Sequence, residues 1–115
     1  MNPSVRDECV LEVVAQIPAG NLLSYGDVAS LVADCGVACT ARQVARCLSH
    51  FGSRVPWWRV VQSSGTIAEQ VLVPARGHLA AEGIMTDGRR VDLDERRWFP
   101  DPEEVRAVLV RSGVL

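Results

Sequence analysis

The sequence predicts a mainly α-helical domain with one short β element, and three observations carry that prediction. Apolar residues recur at about one-turn spacing in three successive stretches within the first 51 residues. Each stretch is preceded by a Ser or Thr with an acidic or amide residue three positions on: Ser4 and Asp7, Ser24 and Asp27, Thr40 and Gln43. In that pattern side chain and backbone cap a helix start reciprocally. Only Val55-Pro56-Trp57-Trp58-Arg59-Val60-Val61 reads differently, as a turn entering a short buried strand from Trp58 to Val61.

In chain order, Val5, Cys9, Val13 and Ile17 form the inner stripe of a first helix, which Pro18-Ala19-Gly20 stops. A second helix opens at Ser24 with Val28, Leu31 and Val32 facing inward. Residues 34 to 39 contain a glycine and break the period. A third helix opens at Thr40, carries Val44, Cys47, Leu48 and Phe51 on one stripe, and ends at Gly52. Two short helices about six residues apart followed by a strand suggest a winged helix-turn-helix. Gln62-Ser63-Ser64-Gly65 is a turn, and Thr66 to Val73 is open between a strand and an irregular loop. Gly77 to Gly83 reads as a short helix ended by glycine, with His78 a lone histidine lacking an evident partner. The charged tail from Asp92 carries Trp98 as an anchor, and a last helix runs from about Pro102 to Arg111.

At 115 residues the chain is expected to form a single domain, 1–115, with a core of its own. Its apolar runs are too short to span a membrane and its start lacks a signal-peptide layout, so a soluble cytoplasmic monomer is expected. The net charge of −2 argues against a surface coated in positive charge. The charge is uneven, however. There is no lysine, and Arg42, Arg46, Arg54 and Arg59 fall in a stretch with no acidic residue. A local arginine face binds phosphate even on an acidic protein. Cys9, Cys35, Cys39 and Cys47 do not suggest disulfides in such a chain, and Cys35-x3-Cys39 has no matching second pair, so neither metal nor cofactor is expected.

Two features invite a functional reading beside a plain one. Thr40 as cap leaves Ala41, Arg42 and Gln43 in the first turn of a helix whose terminus attracts phosphate, with Arg46 one turn beyond Arg42. That face either enters a DNA groove or is simply solvated. Trp57 and Trp58 either anchor a small core or wall a pocket for a flat ligand.

The order of these residues resembles the DNA-binding domain of the O6-alkylguanine-DNA alkyltransferases, and more closely the alkyltransferase-like proteins. The similarity runs over about residues 5–85, leaving 86–115 as a C-terminal extension. It rests on Ile17-Pro18-Ala19-Gly20 with Ser24-Tyr25-Gly26-Asp27-Val28-Ala29, on Ala41-Arg42-Gln43-Val44, on Pro56-Trp57-Trp58-Arg59-Val60 with Ser64-Gly65, and on Leu79-Ala80-Ala81-Glu82-Gly83. Where alkyltransferases carry Pro-Cys-His-Arg-Val, this chain has Trp57 and Trp58 at the acceptor cysteine and activating histidine. Indole is a poor nucleophile, so alkyl transfer is not expected and Glu82 is left as a relic of the family's relay.

The resemblance implies a non-enzymatic sensor that binds O6-alkylguanine in duplex DNA. The third helix would enter the minor groove and Arg42 would replace the flipped nucleotide. Thr40, Ala41 and Arg46 would meet the DNA, and Tyr25 would hydrogen-bond the flipped base. Backbone carbonyls of Trp57 and Val60 would accept its amino protons while the Trp57 indole lies beside the alkyl group. Nucleotide excision repair proteins would be the partners, and the protein would join the nucleoid when bound to DNA. The competing expectations are a winged-helix DNA- or protein-binding module without lesion preference, and a residual enzyme using another cysteine.

Overall fold

The computed structural model describes residues 2–115. The three capping boxes form as their spacing requires. Helix α1 (Val5–Gln16) starts with Ser4 Oγ accepting from the Asp7 N–H at 3.1 Å while the Asp7 carboxylate accepts from the Ser4 N–H at 2.9 Å. Ser24 and Asp27 repeat this at the head of α2 (Tyr25–Asp34), and Thr40 with Gln43 at the head of α3 (Ala41–Phe51). Each box satisfies donors that a helix start leaves unpaired.

These helices pack on one another, and α1 and α2 also on α6 (Pro102–Arg111), whose bounds match those expected from the sequence. Val10, Val13, Ile17, Val28, Val32, Val44, Val105 and Leu109 fill the interior between them. A second apolar cluster gathers Leu22, Val61, Ile67, Ala75, Leu79, Ile84, Val91 and Leu93, with Trp57 and Trp58 packed at its edge. The tail beyond residue 85 thus supplies side chains to both interiors, and Trp98 is half-buried against the first.

The sheet lies where the clusters meet. Strand β1 (Leu23–Ser24) runs parallel to β2 (Val60–Val61), pairing Leu23 with Val60 and Ser24 with Val61. On the other side of β1 the tail adds a parallel bridge, with the Leu22 N–H donating to the Arg96 carbonyl and the Trp98 N–H to the Leu22 carbonyl, both at 2.9 Å. The Arg97 guanidinium pairs with Asp27, fixing this tail to α2.

The structure departs from the sequence reading in two places. The strand is two residues long, because Trp57–Arg59 wind into a 3₁₀ turn. Extended backbone would send Trp57 and Trp58 to opposite faces, whereas the tight turn lets both pack on the second cluster. The late helix is longer than expected: α4 spans Leu72–Ala81, following a 3₁₀ turn at Glu69–Val71, and Pro74 is tolerated in its first turn. Between β2 and α4 the chain is irregular, held by Gln62 N–H to the Thr66 carbonyl and Ile67 N–H to the Arg89 carbonyl. Gly65 is obligatory there: its φ is +83°, and a Cβ would lie 2.5 Å from the Val91 carbonyl oxygen. A four-residue helix, α5 (Leu93–Arg96), completes the fold.

Candidate nucleic-acid interface

Helix α3 turns Val44 and Cys47 into the core and leaves Ala41, Arg42, Ala45, Arg46 and Ser49 exposed. Because the Thr40 side chain takes the Gln43 N–H, the Ala41 and Arg42 N–H groups remain as outward donors at the positive end of the helix dipole. Arg42 and Arg46 make no ion pair among the described residues.

Between α3 and the 3₁₀ turn of Trp57 lies a cleft of about 390 Å³. Tyr25 from the first turn of α2 borders it, with Ala45, Leu48 and Ser49 of α3 on one side, Trp57 on another, and Ala68, Gln70 and Val71 closing the rim. Its size is that of a small-molecule site, and its lining mixes apolar surface with a few polar groups. Burial pushes the Tyr25 phenol up from its ordinary value, so at neutral pH its hydroxyl is a hydrogen-bond donor. The Trp57 carbonyl already accepts the Val60 N–H across the 3₁₀ turn and keeps one lone pair. Tyr25, Trp57 and α3 therefore come together as the sequence places them. Arg46 stands elsewhere, at a groove on the other side of α3, and the Val60 side chain is buried in β2.

Trp57 is braced from behind. The Trp58 ring meets it edge-on at 87° with centroids 5.8 Å apart, and His78 meets it at 82° and 5.9 Å. Trp58 and His78 stack on each other at 3.9 Å and 10°. The Trp58 indole N–H donates to Glu82 Oε2 at 2.7 Å. Arg59 Nε donates to both Glu82 oxygens at 3.0 Å, and its Nη2 to Oε2 at 2.8 Å. Its Nη1 reaches the Ile17 carbonyl at 2.8 Å, while the Gly20 N–H donates to Glu82 Oε1 at 2.8 Å. Burial by itself would raise the Glu82 carboxyl, but the hydrogen bonds from Arg59, Gly20 and Trp58 outweigh it and hold the group below the usual carboxylate range.

Glu82 is accordingly not idle, and His78 has partners after all. Both escaped the sequence reading because their partners lie 20 or more positions away. One signal was available: His78 and Glu82 are four apart at the end of a helix and so share a face. Arg59, one of the four arginines in the stretch without acidic residues, is committed to Glu82 and the Ile17 carbonyl.

None of the four thiols lines the cleft. Cys9, Cys35 and Cys47 are buried and Cys39 is half-buried. Burial raises every one of them, Cys47 to about 12 with the Asp7 charge adding to the effect. No group of three or more His, Cys, Asp or Glu among the described residues could hold a metal ion, and no helix there is long and apolar enough to cross a membrane.

A helical DNA-binding fold with an arginine-tipped helix beside a Tyr–Trp cleft is the class these features define. The chain belongs to the family of 6-O-methylguanine DNA methyltransferase DNA-binding domains, whose profile matches residues 6–84. It is 43% identical over 94 residues to the DNA base-flipping protein of Escherichia coli (strain K12), covering 77% of this chain and 70% of that one. It is 38% identical over 102 residues to alkyltransferase-like protein 1 of Schizosaccharomyces pombe, covering 79% and 92%. Its fold superposes on the crystal structure of S. pombe Atl1 in complex with damaged DNA containing O6-carboxymethylguanine. The TM-score is 0.70 at 30% identity, over 87% of this chain and all of that one.

Proposed function

We propose that this chain is a non-enzymatic sensor of O6-alkylguanine in duplex DNA that flips the damaged nucleotide and marks it for nucleotide excision repair. The observation that carries the reading is the cleft of about 390 Å³ with Tyr25 and Trp57 on its walls, directly beside α3. With α3 in the minor groove, Arg42 fills the gap in the base stack left by the flipped nucleotide. Flipping costs a few kcal/mol, least for a base whose pairing is already weakened, which contributes to selectivity. In the cleft the Tyr25 hydroxyl donates to the base, the carbonyls of Trp57 and Val60 accept its amino protons, and the Trp57 indole covers the alkyl group. Contact of that kind is worth roughly 1–3 kcal/mol per base.

Binding without transfer is supported by the chemistry around the cleft. Trp57 offers no nucleophile, Trp58 offers no base, and Glu82 is committed to Trp58, Arg59 and Gly20. The cysteines elsewhere are held as protonated thiols. The structures of the S. pombe relative in complex with DNA support a DNA partner.

The deciding experiment is a titration with two short duplexes identical except for one O6-methylguanine, followed by analysis of the recovered DNA. Tighter binding to the lesion with the methyl group still in place is expected. Replacing Arg42 by Ala should weaken lesion binding by roughly 1–3 kcal/mol. Equal affinity for both duplexes would leave a DNA-binding module without lesion preference, and loss of the methyl group would make the protein an enzyme.

A further inference from the structure

Helix α3 has a depression on each flank. At about 100° per residue, Arg42 lies opposite the buried Val44 and Cys47 and so crowns an outward ridge. The Tyr25–Trp57 cleft occupies one side of that ridge, through Ala45, Leu48 and Ser49. The other side holds a groove of about 310 Å³, formed by Gln43, Arg46 and His50 of α3 against Arg6 and Asp7 from the start of α1.

This second groove is cationic and uncommitted. Among the described residues neither Arg6 nor Arg46 makes an ion pair or a side-chain hydrogen bond, and the buried Nε of Arg6 has no partner at all. The one carboxylate present, Asp7, is already engaged by the Ser4 N–H at 2.9 Å. Two free guanidiniums facing one occupied carboxylate leave a net positive trough.

We infer that this trough seats the phosphodiester backbone of the strand opposite the lesion, with Arg6 and Arg46 as the phosphate ligands. The inference rests on the minor-groove reading of α3 proposed above. An α-helix about 10–12 Å across exceeds the ~6 Å width of an undistorted minor groove. Seated there, it widens the groove and runs between two sugar–phosphate rails, one along each flank. The rail on the cleft side belongs to the strand that surrenders its nucleotide. The other rail passes the Arg6–Arg46 trough, where contact holds the duplex in register while the lesion strand distorts. Phosphate contacts position without reading sequence.

The test is the salt dependence of binding, measured for lesion and undamaged duplexes with the full chain, Arg46→Gln and Arg6→Gln. Each substitution should lower the slope of log K against log salt by about 0.9 for every phosphate that is no longer neutralised, and should weaken both duplexes by the same factor so that lesion preference survives. Arg106→Gln on α6 should keep the wild-type slope. A run of neutral methylphosphonate linkages opposite the lesion should weaken the wild-type protein and leave Arg46→Gln little affected. A wild-type slope in Arg46→Gln overturns the inference, and this exposed residue decides the matter even if Arg6→Gln folds poorly. So does a methylphosphonate effect confined to the lesion strand. Lesion preference in the wild type with unchanged slopes would refute the trough alone. Lowered slopes without lesion preference would uphold the phosphate contacts and refute the sensor reading.

Discussion

The Glu82–Arg59 pair is the most consequential polar contact behind the cleft, and replacing Glu82 by Gln tests that directly. The two side chains are only 11% and 15% exposed, so their charges are poorly hydrated and depend on each other. Glutamine keeps the shape but removes the charge, and its amide turns donors toward donors of Arg59. Uncoupling a buried pair from one side typically costs 3–5 kcal/mol. With the Ile17 carbonyl still accepting from Arg59, the lower end applies, roughly 3 kcal/mol. For a chain of this length that is a fall in thermal midpoint of roughly 10–20 °C at neutral pH. The pH dependence has a definite sign. The folded-state pKa of Glu82 is depressed below the ordinary 4.5, so its stabilisation is complete above that value and is lost as pH falls through the folded-state pKa. Thermal melts of wild type and Glu82→Gln should therefore differ most near neutrality and converge as the pH is taken down from about 4.5. A neutral-pH difference under about 3 °C would refute the buried-pair argument, because it corresponds to less than 1 kcal/mol. A larger difference that stays constant through the acid range would refute it too, because protonation removes the same charge that the substitution does.

Tyr25→Phe should leave the thermal midpoint nearly unchanged, since the hydroxyl makes no hydrogen bond among the described residues, yet weaken lesion binding by about 1 kcal/mol. Titration of both duplexes checks this; an equal loss on undamaged DNA would reassign the hydroxyl to a phosphate. Native-state labelling with a thiol reagent at about pH 8 should be slow at all four cysteines, slowest at Cys47 with its pKa near 12, and become fast on unfolding. One rapidly reacting thiol in the folded protein, or an alkyl label on any cysteine after incubation with alkylated DNA, would contradict the environment described for them.

The parts of this fold that were legible in the sequence are those decided within one helical turn. Ser4 with Asp7, Ser24 with Asp27 and Thr40 with Gln43 each close a hydrogen-bonded loop over three residues, so their meaning does not depend on the rest of the chain. The opposite holds for Trp57–Arg59. Local preference there favours a strand, but Glu82 draws the Trp58 indole and the Arg59 guanidinium toward the end of α4, and the backbone winds up to deliver them. The start of α4 was hidden for another reason: Val71 provides no side-chain cap, and Pro74 and Gly77 both argue against a helix that tertiary packing of Ala75 and Leu79 nevertheless secures. The site behaved in the same way. Tyr25, Trp57 and α3 could be placed from motif order, whereas the Trp58–His78 stack and the Arg6–Arg46 trough required distant segments to be brought together.

The walls of the cleft belong to two separately packed interiors: Tyr25 and α3 to the first, Trp57 and Val71 to the second. Such a cleft is a joint between two blocks. A recess carved within one core can admit a larger guest only by overpacking, at a cost of 1–3 kcal/mol for each forced rearrangement. A joint widens by a small rotation of one block on the other, which leaves both interiors intact and strains only the fastenings between them. Here the short β1–β2 pairing joins the blocks, with polar side-chain fastenings beside it: Arg59 to the Ile17 carbonyl and Glu82 to the Gly20 N–H, both at 2.8 Å, and Arg97 to Asp27. Its width is therefore set by the contacts that join the two interiors, the β1–β2 pairing, the Arg59 and Glu82 hydrogen bonds and the Arg97–Asp27 pair, rather than by the packing inside either one.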